Sequence, residues 1–484
     1  MGRITKNYIL NTAYQLLTLL APIMTAPYLA RVLGADQLGI YSYVSSSSNI
    51  IVTLCLLGIY AYGNRQTAYV RDNKEELTKT FWELELTRIM LGILGTIVYI
   101  IYLQLNSQKG YSIYFLIYYP YILAQIIDCS WVYVGLEDMG PAILKNFAAK
   151  LINVICIFIL IKQKSDLWIY ILMLSMTTLL ANITIYFQLH KYIGRPKANL
   201  ANIPTHIKGS IHLFLPQVAS LFYLQVDKVM LEWMTGTTSQ VSYYDHAEKI
   251  ITIPLSLITV ISTVMMPRIA NEFKKNNLET IRTLLIRAGR YASFMAAPMM
   301  MGLLCVSRQF IPWYLGEDFL PTAYTMMVLV PIVMFNSLSG ISGAQYFTAS
   351  NQVDILLKAY ISAAVLNIVM NAFLIPRLGC IGAAISTVAS SGISVTIQYF
   401  YLSKQMDIRK LVGSTVRYIA YAMIMALVVY TITYSQAATP WTTLLQVMIG
   451  IVVYLGIMLM TRDDTFFEIL GMLKGRIKRI KNGN

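Results

Sequence analysis

Long apolar segments recur along the whole of this 484-residue chain and are separated only by short polar connections. Hydrophobic residues make up 57% of the sequence and charged residues only 13%, whereas a soluble domain has about 25% charged residues. Because a transmembrane helix needs about 20 predominantly apolar residues, the pattern predicts an all-α integral membrane protein with about fourteen spans. These predicted spans lie at 9–30, 38–63, 81–103, 112–135, 142–161, 167–189, 209–233, 241–266, 283–306, 322–347, 354–375, 380–402, 413–434 and 441–461.

Lysine and arginine are concentrated in alternate connections between the predicted spans. The connections at 64–80, 190–208 and 267–282 and the C-terminal segment are basic, whereas the intervening connections carry few basic residues. Since cytoplasmic loops carry the excess of Lys and Arg, both termini are predicted to be cytoplasmic, which requires an even number of spans. The net charge of +15 is therefore interpreted as a topology signal and as contact with anionic membrane lipids, not as a nucleic-acid-binding surface. Twelve or thirteen spans are the alternatives, with the segment around Asp245 the weakest.

Signatures of catalysis and of metal binding are missing from the sequence. The five cysteines and four histidines are scattered without paired spacing, so neither a disulfide framework nor a metal site is predicted. There is no Walker A motif and no HExxH motif. The acidic pair Glu317–Asp318, in a predicted outer connection, is interpreted as solvated loop charge. We therefore expect a protein that is not an enzyme and has no cofactor; a coupling proton or sodium ion is left open.

Two parts of the chain resemble each other at an offset of about 200 to 215 residues. LGADQLGIYSY matches MTGTTSQVSYY, with the same spacing in Gly34–Tyr41 and Gly236–Tyr243. Because six predicted spans precede the division, the halves run in the same direction, and parallel repeats place a site between them. The predicted domains are a six-helix bundle at 1–205, a second six-helix bundle at 206–405, extra helices 13 and 14 at 406–461 and a basic amphipathic cytoplasmic tail on the inner leaflet at 462–484.

Polar side chains recur at helical spacing on predicted spans 1, 2, 7 and 8, and the first two occupy the repeat positions of the last two. A polar face on a spanning helix is typical of a water-lined path, and ionisable groups in such helices usually face a bundle interior or a cavity. The stripe in predicted span 8 consists of Asp245, Lys249, Thr252, Ser256, Thr259 and Thr263. The candidate path residues from these segments are Asn49, Gln217, Asp227, Lys228, Tyr243, Asp245, Glu248 and Lys249.

Two other interpretations of the polar stripes stay open. Ser, Thr and Asn side chains can join neighbouring helices by hydrogen bonds. Asp227, Lys228, Asp245 and Lys249 can instead form a structural ion-pair network near the outer membrane face, which is compatible with transport if the pairs break and form. Tyr243, beside the charged residues of predicted span 8, is a candidate for stacking on a sugar ring.

A second charged cluster lies in the first half of the chain. Glu85 and Arg88 are three residues apart in predicted span 3 and can pair within the helix. Asp128 in predicted span 4 and Lys150 in predicted span 5 can pair between helices. A structural role is favoured for the first pair, whereas for Asp128 and Lys150 structural and functional roles are equally open.

The order of several motifs resembles a known family of transporters. PYLARVLGADQLGIYSY and NRQTAYVRDN follow predicted spans 1 and 2, and LNIVMNAFLIPRLGCIGAAISTVAS begins at Leu366. This pattern resembles the polysaccharide transporter family of the multidrug/oligosaccharidyl-lipid/polysaccharide exporter superfamily, and within it the Wzx-type flippases of oligosaccharide repeat units. The resemblance implies two pseudo-symmetric six-helix bundles around a central cavity lined by spans 1, 2, 7 and 8, with two extra C-terminal helices.

The same resemblance implies a substrate and a mechanism. An undecaprenyl-pyrophosphate-linked oligosaccharide would move by alternating access across the cytoplasmic membrane of a bacterium, with a polysaccharide polymerase and glycosyltransferases as partners. Arg31, Lys228 and Lys249 are the matching cationic positions for the pyrophosphate, and Asp227, Asp245 and Glu248 depart from a purely cationic path. The alternatives are a lipid II flippase, a multidrug antiporter, and a membrane glycosyltransferase or polymerase.

Overall fold

The computed structural model describes residues 3–105 and 110–471, without the side chains of 3–10, 212–213, 215–224 and 260–264. The regular secondary structure that it describes is helical, as the composition predicted. The α-helices are α1 (Arg3–Leu56), α2 (Ile59–Val70), α3 (Lys74–Leu105), α4 (Ser112–Ile126), α5 (Ser130–Gly135), α6 (Gly140–Leu160), α7 (Leu167–Leu189), α8 (Ile203–Thr235), α9 (Thr238–Lys274), α10 (Leu278–Tyr314), α11 (Leu320–Leu329), α12 (Pro331–Ser339), α13 (Val353–Leu378), α14 (Cys380–Ser403), α15 (Arg409–Thr433) and α16 (Pro440–Met460).

The chain is a multi-pass membrane protein. Among the described residues, ten helices are long and apolar enough to cross a membrane, or eleven if a bent pair forms one span. The bent pair turns by 45° between Glu317–Leu329 and Pro331–Phe347, where Pro331 lacks the N–H that would continue the helical hydrogen bonds.

Helix α1 contains predicted span 1 and most of predicted span 2. Its 54 residues correspond to about 81 Å of helix at 1.5 Å per residue, far more than the ~30 Å hydrocarbon core of a bilayer. At Gly34 the backbone leaves helical geometry with φ 78° and ψ 172°, a conformation that glycine adopts without a Cβ clash. The two segments on either side of Gly34 match predicted spans 1 and 2 in position.

Predicted span 2 is not one uninterrupted helix, contrary to our expectation. The chain breaks at Leu57 and Gly58, which have φ values of 47° and 69°. A Cβ on Gly58 would lie 3.1 Å from the Cα of Phe214, so α8 packs directly against this break. Predicted span 4 is interrupted as well, because α4 ends at Ile126 and α5 begins at Ser130.

Two compact units divide the chain, Met1–Ser242 and Tyr243–Asn484. In the first, α8 packs against α1, α2 and α3; in the second, α15 and α16 pack against α10 and against each other. The division of the sequence repeat near residue 205 is a different boundary and stays a prediction, as do the four domains drawn from it.

A buried carboxylate fixes the start of α8 in the first unit. Glu83 in α3 accepts hydrogen bonds from the backbone N–H of Asn199 at 3.1 Å and from the Asn202 amide at 2.9 Å. Its second oxygen lies 3.0 Å from Nε2 of His206, and Nδ1 of His206 lies 3.3 Å from the Tyr62 hydroxyl. The basic connection before α8 is therefore anchored on α3.

The C-terminal segment begins as a helix held on the second unit. Residues 464–471 are helical, and the fully buried carboxylate of Asp463 accepts from the backbone N–H groups of Thr465 and Phe466 at 3.0 and 3.1 Å. Arg417 in α15 lies 3.0 Å from the same carboxylate. The basic part of the predicted amphipathic tail, 472–484, lies outside the described residues.

Candidate functional site

Three charged side chains are buried within two turns of α8. Asp227, Lys228 and Glu232 are 0%, 7% and 1% exposed, and each has polar or electrostatic partners. A buried charge lowers the stability of the folded state by several kcal/mol unless it is paired, so the fold requires these contacts. The sequence singled out Asp227 and Lys228 but missed Glu232, although its i,i+4 spacing from Lys228 is the standard spacing of a helical ion pair.

An ion pair at i,i+4 joins the two ends of the first turn of the polar stripe on α9. Nζ of Lys249 lies 2.5 Å from Oδ2 of Asp245, and the side chains are 52% and 3% exposed. Since an ammonium group has three donors, Lys249 can hold Asp245 and still donate to a ligand from its exposed side. Glu248, between them in sequence, is partly exposed.

Three hydroxyl groups of this stripe bond to their own helix, and the side chain of Thr263 lies outside the described residues. Thr252 donates to the carbonyl of Glu248 at 2.8 Å, and Ser256 donates to the carbonyl of Ile253 at 2.6 Å. Thr259 likewise donates to the Ser256 carbonyl at 2.8 Å. These hydroxyls therefore do not serve as the interhelical contacts of the alternative interpretation. Thr252 and Thr259 are exposed while Ile251 and Ile258 are buried, so α9 turns an accessible polar face away from its packed apolar face.

The corresponding stripe on α1 is used differently. Asn49 accepts a hydrogen bond from the Tyr121 hydroxyl at 3.0 Å, and the Ser48 hydroxyl lies 3.3 Å from the Tyr99 hydroxyl. Asn49 therefore joins α1 to α4, whereas Ser48 also donates to the carbonyl of Val44 in its own helix at 2.6 Å. Arg31, also in α1, is exposed, and Gln217 lies outside the described side chains.

An aromatic cluster surrounds the C-terminal end of α8. Nε1 of Trp233 donates to the Tyr43 hydroxyl at 2.9 Å, and the hydroxyls of Tyr43 and Tyr102 lie 2.9 Å apart. The rings of Tyr102 and Trp233 are stacked at 6.5 Å. These bonds attach the end of α8 to α1 and α3, next to the buried charges.

Near the start of α9, Tyr243 and His246 both meet the ring of Phe319. Tyr243 contacts it edge-on at 6.0 Å and 85°, and His246 lies 5.3 Å away. Tyr243 is only partly exposed. Its neighbour Tyr244 is buried, and its hydroxyl lies 2.9 Å from that of Thr387. The ring of Tyr243 is thus already in contact with Phe319.

The second charged cluster is buried inside the first unit. Arg88 is 2% exposed, and its guanidinium lies 4.0 Å from the Glu85 carboxylate, as their spacing in the helix predicted. In the structure, Asp128 pairs with Lys145 at 2.8 Å. The sequence suggested Lys150 as its partner, which lies about one and a half helical turns after Lys145. Lys150 is partly exposed and has interaction partners as well.

A family model described as "Polysaccharide biosynthesis protein" matches residues 4–273, which is more than half of the chain. The chain belongs to the polysaccharide biosynthesis protein family. A second family model, "Lipid II flippase MurJ", matches residues 143–452 and overlaps the first. The family therefore lies within the larger group of membrane flippases and transporters that the motif order suggested.

Curated relatives of this polysaccharide biosynthesis protein carry transporter and flippase names. It is 22% identical over 387 residues to a putative O-antigen transporter of Escherichia coli K12, with 79% of this chain and 92% of that protein covered. It is also 22% identical over 386 residues to a probable low-salt glycan biosynthesis flippase, Agl15, of Haloferax volcanii, covering 79% and 80%.

Solved structures share the fold of this family member. The lipid II flippase MurJ in an inward closed conformation superimposes with a TM-score of 0.71 at 19% identity, covering 94% of this chain and 99% of that one. An inward-facing multidrug resistance MATE transporter of the MOP superfamily superimposes with a TM-score of 0.64 at 14% identity, covering 81% and 96%. At these identities the likeness concerns the fold alone.

Proposed function

We propose that this polysaccharide biosynthesis protein flips undecaprenyl-pyrophosphate-linked oligosaccharide repeat units from the inner to the outer leaflet of a bacterial cytoplasmic membrane. The family match and the relatives named as O-antigen transporter and glycan flippase support this activity. A lipid-linked oligosaccharide is then the substrate, and the enzymes that build and polymerise the repeat unit, glycosyltransferases and a polymerase, are the partners.

The proposed architecture has fourteen spans with both termini in the cytoplasm. In this proposal the kinked helix α1 supplies two spans. Helices α8 and α9 supply predicted spans 7 and 8, in addition to the helices that are long and apolar enough to cross a membrane. The first and second repeats would form two six-helix bundles that alternate in access to a path along spans 1, 2, 7 and 8. Helices α15 and α16 would be the two additional spans.

The accessible polar face of α9 is the observation that carries the proposed path. Lys249 begins that face with half of its side chain exposed, and Thr252 and Thr259, which follow it, are exposed and bond to their own helix. Arg31, Lys228 and Lys249 are the proposed cationic ligands of the pyrophosphate; Arg31 and Lys249 are exposed, and Lys228 is buried. Tyr243 is the proposed contact for a sugar ring, and Asn49 is a further proposed polar residue of the path.

The acidic residues fit two roles in this proposal. Asp245 neutralises Lys249 when substrate is absent, and Asp227 is the acidic residue next to Lys228 in the sequence. Together with Glu248, these carboxylates are also the groups that a coupling proton or sodium ion would use.

Depletion of the protein in its own host tests the proposed function. Mass spectrometry of the membrane lipids should show accumulation of a lipid-linked oligosaccharide repeat unit while the earlier lipid-linked intermediates are still made. An unchanged level of every lipid-linked saccharide would contradict the proposal.

A lipid II flippase is the second candidate. The match of the lipid II flippase model over 143–452 favours it specifically. In the same depletion experiment, this candidate predicts accumulation of lipid II and a cell-wall defect in place of a stalled oligosaccharide.

Replacing Lys249 by Ala should reduce the flipping rate about tenfold or more, because a hydrogen bond to a charged group contributes about 1.5–3 kcal/mol. The measurement is translocation of the lipid-linked oligosaccharide in proteoliposomes, normalised to the amount of reconstituted protein. Lys275→Ala is the matched control, since Lys275 is 58% exposed and pairs with Glu272 at 3.1 Å outside the proposed path. Equal rates for Lys249→Ala and the control would remove Lys249 as a substrate ligand.

A further inference from the structure

Predicted span 4 is interrupted between Ile126 and Ser130, inside the first unit. The last turn of a helix has carbonyl groups without an intrahelical partner, and within a membrane such groups must find a partner. In transporters, the ends of interrupted helices are places where cations are coordinated. The break in this chain therefore has the chemistry of a cation site.

One cation at the break is supplied by α3. Arg88 donates to the backbone carbonyl of Gln125 at 2.6 Å and to that of Asp128. Both carbonyls belong to the end of α4 or to the residues after it. The guanidinium therefore takes the place that a metal ion or water would take at an exposed helix end.

A second cation at the break is supplied by α6. The Lys145 ammonium donates to Oδ1 of Asp128 at 2.8 Å and to Oδ1 of Asn182 at 2.5 Å. The amide of Asn182 is oriented for this contact, because its Nδ2 donates to the carbonyl of Ala124 at 2.7 Å. Lys145 and Asn182 are 8% and 4% exposed, so the ammonium is held by oxygen ligands away from solvent.

The charges of the cluster balance only when Lys145 is included. Glu85 and Asp128 supply two negative charges, and Arg88 and Lys145 supply two positive charges. Glu85 also accepts a hydrogen bond from the Tyr186 hydroxyl at 2.5 Å. Since a buried unpaired charge is strongly unfavourable, loss of the ammonium would leave a net negative, oxygen-lined position at the helix break.

We propose that the oxygen atoms of Asp128 and Asn182 form a monovalent-cation site that the protein fills with its own Lys145 ammonium. Carboxylate and amide oxygens are ligands for hard cations. The tethered ammonium keeps the site occupied at any external ion concentration and fixes α4, α6 and α7 around the break. Without the ammonium, the same oxygens bind a sodium, lithium or potassium ion. This inference concerns ion binding and does not depend on the proposed substrate.

The variant Lys145→Met tests the site, because methionine keeps most of the side-chain length and removes the charge. Purified protein is heated in NaCl, LiCl or KCl and, at equal ionic strength, in N-methyl-D-glucamine chloride. Ligand binding to the folded state raises the melting temperature. At least one alkali cation should raise that of Lys145→Met by about 3 °C or more beyond its effect on the wild type.

The double variant Lys145→Met/Asp128→Asn separates ion binding from charge balance. It removes the carboxylate together with the ammonium, so it should accumulate in the membrane and show no extra response to alkali cations. If Lys145→Met responds to salts as the wild type does, or if the double variant responds as strongly as the single one, the proposal is wrong. If Lys145→Met does not accumulate, whether or not the double variant does, no alkali cation has replaced the ammonium and the proposal is wrong as well.

Discussion

Replacement of Arg88 by Met should lower the stability of the protein by about 3–5 kcal/mol, the usual cost of removing one member of a buried ion pair. The guanidinium is 2% exposed, lies 4.0 Å from Glu85 and donates to the carbonyls of Gln125 and Asp128. Its loss leaves a buried carboxylate in excess and two carbonyls at the interrupted helix without their donor. We expect a melting temperature in detergent about 5–10 °C lower and a several-fold lower amount in the membrane.

Arg71→Met is the matched control for this prediction. Arg71 also pairs with a glutamate, Glu137, at 2.7 Å, but the side chains are 38% and 75% exposed. Exposed pairs contribute about 0–1 kcal/mol, so this variant should melt within about 2 °C of the wild type. Equal melting temperatures for the two variants would show that Arg88 does not hold the helix break.

Replacement of Gly39 by Ala should open the contact between α1 and the start of α9. A Cβ on Gly39 would lie 1.8 Å from the backbone oxygen of Thr238, which a flexible side chain cannot relieve. The hydroxyl of Thr238 also donates to the carbonyl of Asp36 at 3.0 Å, so the two segments are in direct backbone contact. A clash of this kind costs about 1–3 kcal/mol, which raises the population of separated arrangements about 5- to 150-fold.

Thiol labelling measures this opening. Ser242 is fully buried one turn after Thr238, so a cysteine introduced there reports separation of the contact. In a background without the five native cysteines, Gly39→Ala should increase the labelling rate by a membrane-impermeant maleimide at least about fivefold.

Gly302→Ala is the control for the labelling experiment. Gly302 lies inside α10, and among the described residues no atom comes within 4 Å of a Cβ built there. Alanine in such a helix position is neutral or slightly stabilising, so labelling at position 242 should not change. Unchanged labelling in Gly39→Ala as well would mean that the contact is flexible enough to accept a methyl group.

The sequence predicted the helical membrane class and the family because both depend on patterns within the chain. Segment length against bilayer thickness identifies spanning helices, and motif order carried the resemblance that the family model confirmed. The sequence did not reveal the breaks in predicted spans 2 and 4. Ile127, Asp128 and Cys129 contain neither Gly nor Pro, and the break there is stabilised by Arg88 from another helix.

The same distinction applies to the candidate site, where some contacts can be predicted from the sequence and others cannot. The pair Asp245–Lys249 is fixed by the i,i+4 geometry of one helix, so it is readable from the sequence, and the structure places the two atoms 2.5 Å apart. The partner of Asp128 cannot be predicted from the sequence, because Lys145 and Lys150 both lie on α6. The choice depends on how α6 packs against α7, where Asn182 completes the ligands of the Lys145 ammonium.

By itself, the sequence determined that this protein is a multi-pass helical member of the polysaccharide biosynthesis family with a polar stripe on α9. Bilayer thickness and helical periodicity determine the spans and the stripe from local sequence, and motif order identifies the family. Only the tertiary structure decided that Thr252 and Thr259 bond to their own helix α9, while Asn49 on α1 bonds to a neighbouring helix. It also decided that two cationic side chains occupy the break after α4, since partners distant in sequence are chosen by the packing that brings them together.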